Sequence, residues 1–339
     1  MQKTNVRRRD FLKVAGASAA ALGAPAAVEA SAREAGGPAS EPPPDTKFPK
    51  LALITRYSPQ KLEFAASAGY EGVVIATDES FDPDKLTDQQ IEDALNTARR
   101  AGVRIISLEC MSGYNHIARD PAERKQARAK FIRALEVSHR LGCKFLGTFT
   151  GGKQGASPDE QVKELAEVIN EQYLPVCEKL DMTFGPENYP CDANFATVPA
   201  VWEKLFALVP NHRFGLEFDP SHFVRQYIDP IRVAWEFRDR IHGVHLKDAE
   251  IIQPVLQKVG IHGQGWWRYR IPGQGLVDWP AFFTVLLQAG FKGGAAVEHE
   301  DEFWDAPPSN DSAEFPQERK DGFILAARFL RQYLPGRTS

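Results

Sequence analysis

Four short apolar runs end in groups that could do chemistry. MTFGPEN (182–188) carries Glu187, FGLEFD (214–219) ends in Asp219, HGVHLKD (242–248) carries His245, and GAAVEHE (294–300) carries Glu298. Side chains alternate between the two faces of an extended run. Glu187 therefore shares a face with Gly185, Asp219 with Glu217 and Gly215, His245 with Gly243, and Glu298 with Ala296 and Gly294. The opposite faces carry Phe184, Leu216, Phe218, Val244, Leu246, Ala295 and Val297, which suit packing. One face is thus small and then ionisable, in four runs in succession. Three carboxylates and one imidazole make a mixed oxygen–nitrogen donor set that suits Mn2+, with Co2+, Mg2+ and Zn2+ as alternatives. Without a cation, three buried carboxylates would repel one another and resist desolvation. Private pairing with loop Lys or Arg would explain one such acid well and four in succession poorly.

These groups need a frame that brings run ends together. Further apolar runs stand at 51–57, 72–77, 104–110 and 144–150, making eight in all. Helical patterns alternate with them, at 121–141, 158–180, 198–209, 230–240, 280–289 and 318–333. Pro121 suits a first helical turn, and Gly69, Gly102, Gly142 and Gly290 each stand where a helix should stop. Eight strands alternating with helices predict an α/β fold, a single-domain (β/α)8 TIM barrel over residues 48–339. A doubly wound sheet would want a Gly-rich phosphate turn after its first strand, where ITRYSPQ stands instead. In such a barrel, chemistry sits at the C-terminal ends of the strands, where the four groups fall.

Of the 339 residues, 43% are hydrophobic and 25% charged, an ordinary globular balance. The net charge of −4 offers no basic footprint, so nucleic acid is excluded as a partner. Cys110, Cys143, Cys177 and Cys191 show no metal-binding spacing, and no structural disulfide is expected. The N-terminus reads differently: arginines, an Ala-rich apolar run, then Ala30-Ser31-Ala32. That is the order of an export signal. Arg8-Arg9-Asp10-Phe11-Leu12-Lys13 resembles a twin-arginine (Tat) signal, although Arg7 stands where that family usually has Ser or Thr. Residues 1–32 are read as this signal peptide and the Pro-rich 33–47 as a linker, which implies the Tat export machinery and a periplasmic destination. The apolar run is too short and Ala-rich for a stable membrane anchor.

Taken in order, ENYP, DPSH, VHLKD, RYRIPGQGLVDW and VEHE resemble the xylose-isomerase-like TIM barrels. These are often named sugar phosphate isomerases/epimerases, and include ketose 3-epimerases and inosose dehydratases. The resemblance covers nearly all of residues 48–335. It implies that Glu187, Asp219, His245 and Glu298 bind one divalent metal ion. It also implies that Glu187 and Glu298 are the catalytic acid and base, that His222 contacts substrate oxygens, and that Arg270 holds one. The DNA-repair endonucleases of this superfamily use more strand-end histidines than this chain has. Other residues are read from position alone. Lys247 shares the inward face with His245, as a charge partner for the acids or a second acid/base. Glu217 lies one layer below Asp219 and is expected to support the ligands. Glu109, Tyr114 and His116 could line the mouth. Loops 249–277, with Trp266, Trp267 and Tyr269, and 301–316, with Phe303 and Trp304, suit sugar stacking or a lid. His139, His212 and His242 are expected to be structural or exposed.

The expected activity is that of a metal-dependent sugar isomerase or epimerase. It would abstract a proton next to a carbonyl through a metal-bound enediolate. Export argues for a non-phosphorylated small-molecule sugar or keto-sugar. Two alternatives stand: a lyase or hydratase acting on 3-keto-glycosides by β-elimination, and a catalytically inactive periplasmic sugar-binding protein. Assembly as a homo-oligomer is left open.

Overall fold

The computed structural model describes residues 48–304 and 312–334; the signal and linker readings, and part of the 301–316 loop, lie outside them. Eight parallel strands form the sheet: β1 (Lys50–Thr55), β2 (Gly72–Ala76), β3 (Arg104–Cys110), β4 (Phe145–Thr148), β5 (Thr183–Pro186), β6 (Leu216–Phe218), β7 (Ile241–Leu246) and β10 (Gly294–Val297). Their order is β5-β4-β3-β2-β1-β10-β7-β6. Parallel bridges Phe184↔Phe214 and Glu187↔Glu217 bring the two edges together, so the sheet is nearly closed into a TIM barrel. Two further strands, β8 (Asp248–Ile251) and β9 (Trp267–Arg270), pair antiparallel as a separate ribbon.

Helices cover the outside, and their ends follow from sequence. The helix Pro121–Arg140 starts where Asp120 accepts hydrogen bonds from the Ala122 and Glu123 amides, at 2.7 and 3.0 Å. It stops before Gly142, whose φ of 80° is easy only for glycine. The pattern at 158–180 predicts one helix. It is interrupted by a π-helical turn at Ile169–Tyr173, between helical segments Pro158–Val168 and Leu174–Leu180. Pro175 has no N–H for the ladder at that point, which accounts for the widened turn.

The main core lies between sheet and helices. A smaller one fills the barrel, where Ala52, Ile54, Val74 and Ala296 meet Ile106. The small inward residues predicted from the sequence have a packing role there. A Cβ on Gly243 would meet the Phe145 ring, and one on Gly72 or Gly294 would meet Ile106. Bulky groups on β3 and β4 thus narrow the barrel's lower end, leaving the upper end to ionisable groups. Cys110, Cys143, Cys177 and Cys191 are free thiols. Among the described residues, no helix is long and apolar enough to cross a membrane.

Candidate active site

The strand ends are clamped before any ligand is considered. Asn188 Nδ2 donates to the Asp219 carbonyl and the Asp219 amide donates to Asn188 Oδ1, both at 2.8 Å, which locks the end of β5 to that of β6. Pro220 opens a short helix, Pro220–Val224, and Asp219 caps it, Oδ1 accepting from the Ser221 amide at 2.7 Å. That fixes the carboxylate and leaves the buried Oδ2 with no hydrogen bond. His222, on the same helix, points back to the strand ends. Its Nε2 lies 3.0 Å from Glu187 Oε1 and 3.3 Å from Asp219 Oδ2.

Glu187, Asp219, His245 and Glu298 converge, one donor atom from each lying within 4.8 Å of the others. His245 Nδ1 stands 3.0 Å from Glu187 Oε1, 3.1 Å from Glu298 Oε2 and 4.0 Å from Asp219 Oδ2. All are buried except Glu298, which is partly exposed. Burial pushes the Glu187 carboxyl up to about 8, against the pull of His245. It also raises Asp219. Burial resists ionisation of Glu298 too, but Lys247 and His245 hold it well below the usual range. His245 is buried among Glu217, Glu187, Glu109 and Glu298, whose negative charge outweighs burial and lifts it well above an ordinary histidine. Three oxygens with one nitrogen, including an Asp219 oxygen that has ion-pair neighbours but no hydrogen bond, fit a divalent metal.

Lys247 forms the second part of the site. Its fully buried ammonium lies 2.6 Å from Glu298 Oε2, 2.7 Å from Glu300 Oε2 and 3.2 Å from Asp219 Oδ2. These acids overcome burial and hold it protonated. The Tyr269 ring covers the ammonium at 4.4 Å, a cation–π contact. The Tyr269 hydroxyl also meets His222 Nδ1 at 3.0 Å. Burial keeps His222 neutral, so the hydroxyl can donate to Nδ1 while Nε2–H faces Glu187. Tyr269 thus roofs the site from β9. Its neighbour Trp267 stacks edge-on at 4.9 Å and packs over Arg225, whose guanidinium lies 4.5 Å from the indole. The sequence reading gives Tyr269 only the place of a loop aromatic and no role to Glu300 or Arg225; Glu300 follows Glu298 on the same alternating face, a signal that finds it, whereas Tyr269 and Arg225 lie in segments with no period to read.

The remaining predicted residues fall elsewhere. Glu109 is not at the mouth but beneath His245, 2.9 Å from Nε2, with Glu217 3.3 Å from the same nitrogen. His116 and Tyr114 turn outward against Phe131, in the layer between sheet and helices. The His116 nitrogens meet the Tyr173 hydroxyl at 2.8 Å and the Thr148 hydroxyl at 3.3 Å. His116 follows a turn after β3 that folds back over the barrel wall, which alternation within the strand does not foresee. Arg270 is held by Asp301 at 2.9 Å and Glu250 at 2.7 Å, so its guanidinium braces the ribbon. Trp266 is buried and stacks on exposed Tyr227 rather than facing the cluster. Phe303, 73% exposed, packs on Trp304 beside the mouth.

A family model described as Xylose isomerase-like TIM barrel matches residues 62–333. The chain belongs to this family. It is 30% identical over 105 residues to an inosose dehydratase of Clostridium beijerinckii, an alignment covering 29% of this chain and 34% of that protein. The chain spans about a third of the length of the first curated relatives it matches. The fold is shared with a D-allulose 3-epimerase from Methylomonas sp. solved in complex with D-allulose: TM-score 0.65, 16% identity, covering 85% of this chain and 98% of that one. It is shared too with 3-keto-D-glucoside 4-epimerase from E. coli: TM-score 0.62, 14% identity, covering 84% and 99%. The proteins that this chain resembles thus include a dehydratase and sugar epimerases.

Proposed function

We propose that this protein is a divalent-metal-dependent sugar isomerase or epimerase that moves a proton next to a carbonyl of a non-phosphorylated sugar or keto-sugar. The observation that carries the reading is the convergence of Glu187, Asp219, His245 and Glu298 on one point at the C-terminal end of the barrel. Mn2+ fits this donor set best. A bound dication would supply Lewis-acid polarisation of the substrate's carbonyl and hydroxyl oxygens.

The residues divide the remaining work. Glu298, held ionised by Lys247 and His245, is the base that takes the α-proton. Glu187 stands across the cluster, 3.0 Å from His222 Nε2 and from His245 Nδ1, and is placed to exchange a proton on the other face. Lys247 opposes negative charge growing on a substrate oxygen. His222, fixed by Tyr269 and neutral, steadies Glu187 through its Nε2–H without adding charge. Tyr269 and Trp267 present ring faces at the mouth, which suits a sugar's apolar C–H face.

A second reading has its own support. Glu300 sits 2.7 Å from Lys247, and its side chain is 43% exposed at the mouth, within reach of an incoming substrate. It could protonate a leaving oxygen, giving β-elimination from a 3-keto-glycoside. The similar proteins include an inosose dehydratase and a 3-dehydroshikimate dehydratase. Proton NMR of candidate keto-sugars in D2O with Mn2+-loaded protein separates the readings. Exchange at the α-carbon without leaving-group release supports epimerisation; release supports elimination; no exchange with any bound sugar sinks both. Asp219→Asn keeps an oxygen for the helix cap but removes a ligand charge. It should abolish metal binding while the barrel stays folded, and full metal occupancy in that variant would refute the ligand set.

A further inference from the structure

His245 stands between two sets of carboxylates. Its Nδ1 faces Glu187 and Glu298 at 3.0 and 3.1 Å, within the four-residue cluster. Its Nε2 faces Glu109 and Glu217 at 2.9 and 3.3 Å, and neither belongs to that cluster. An imidazole gives one lone pair to a cation while its other nitrogen carries a proton that needs an acceptor. Glu109 and Glu217 are 5% and 2% exposed, so water is a poor substitute for either. Space for them is built in. A Cβ on Gly147 would fall 2.1 Å from Glu217 Oε2, so only glycine on β4 lets that carboxylate sit under the imidazole.

We propose that Glu109 and Glu217 are positioning residues that together hold the Nε2 proton of His245 and so turn its Nδ1 lone pair to the metal. The proposal rests on the metal reading above. Partners behind a ligating histidine fix its tautomer and ring orientation, and their loss typically weakens metal binding about 10–100-fold. A second cation held by Glu109, Glu217 and Nε2 is the rival. It would need both imidazole nitrogens deprotonated at once. A cavity of about 690 Å3 does reach Glu217 from the barrel's N-terminal end, but Lys50, Arg104, Lys144, Arg238 and Lys292 line it, which disfavours cation entry.

The test is metal binding itself. Full-length protein is titrated with Zn2+ by calorimetry, and the bound state is followed by 15N NMR of His245. The wild type should bind one equivalent, with the proton on Nε2 and the metal shift on Nδ1. Glu109→Leu with Glu217→Leu should lose roughly 10–100-fold in affinity. Glu109→Gln and Glu217→Gln, which keep an acceptor oxygen, should stay within a few-fold of wild type. If the double Leu variant does not fold, Gly147→Ala displaces Glu217 without touching a ligand and should cost roughly tenfold. Unchanged affinity in the folded Leu variant or in Gly147→Ala overturns the proposal. So does a proton on Nδ1, or a second equivalent of Zn2+ lost on replacing Glu109. A wild type that binds no cation would instead bring down the metal reading beneath it.

Discussion

At the scale of single residues the site is a problem of charge. Glu187 stands near 8 and Glu217 near 7, against an ordinary 4.5, and His245 is lifted above 6.5. In each case the folded chain holds a proton that the unfolded chain would release. The stability these groups lend is complete below their unfolded values and is lost as pH rises through the folded ones. Metal-free protein should therefore lose thermal stability between about pH 5 and pH 8. A dication competes with those protons, so it should bind more tightly as pH rises and remove the decline. Melting curves at pH 5, 6.5 and 8, in chelator and in Mn2+, check this; a chelator midpoint that does not move with pH would contradict it. The base is tested separately. Glu298→Gln should slow α-proton exchange by roughly 10²–10⁴-fold while sugar binding changes only a few-fold; unchanged exchange would remove Glu298 from that role. The convergence of Glu187, Asp219, His245 and Glu298 is legible because alternation fixes which face a strand residue takes. The partnership of Glu109 and Glu217 under His245 is not. It depends on how β3, β6 and β7 are staggered, and the pairings of β2 with β3 and of β6 with β7 each carry a register shift. No periodicity within one strand records that stagger.

At the scale of elements, the run predicted as 242–248 is cut at Leu246, and Asp248 starts the ribbon instead. Asp248 is fully buried and accepts hydrogen bonds from the amides of Ala249, Gly273 and Val277 and from the Trp279 indole, at 2.9–3.1 Å. One carboxylate thereby ties the ribbon's start, the loop after β9 and the next helix to the barrel. The segment 249–277 was expected as a loop over the site. It is a paired ribbon with a helix, Gln253–Val259, between its strands. Its strands are only four residues long, too short for a pattern to declare itself. Since the ribbon carries Tyr269, Asp248 acts on the site from a distance. Asp248→Ala leaves four donors without their acceptor and should cost roughly 2–4 kcal/mol of stability. It should also quicken proteolysis within 252–276 and weaken sugar binding more than metal binding. Equal protection from protease in the variant and the wild type would show that the ribbon is held by other contacts.

At the scale of the whole molecule, barrel and N-terminal residues bear on one question: where this chemistry is used, and so on what. Ile106 and Phe145 narrow the lower barrel, and the ionisable groups, Glu109 and Glu217 included, are assembled from five strand ends far apart in sequence. Such a site exists only once the barrel has formed. A route that carries folded proteins would let the metal be loaded before export, in a compartment where its identity is controlled. This gives the proposed twin-arginine signal a physical purpose, and it favours neutral sugars over phosphorylated ones as substrates. Arg8→Lys with Arg9→Lys preserves charge but removes the paired guanidinium groups such a signal presents. In a bacterium with a twin-arginine system, wild-type protein should reach the periplasm shortened to a start near Arg33. The Lys variant should stay in the cytoplasm at full length, with its metal content and proton-exchange activity unchanged. Cell fractionation with N-terminal sequencing reads both outcomes. Equal export of the two forms would overturn the signal reading, and with it the main ground for preferring a non-phosphorylated substrate, while leaving the metal centre and its proton chemistry to stand on the barrel alone.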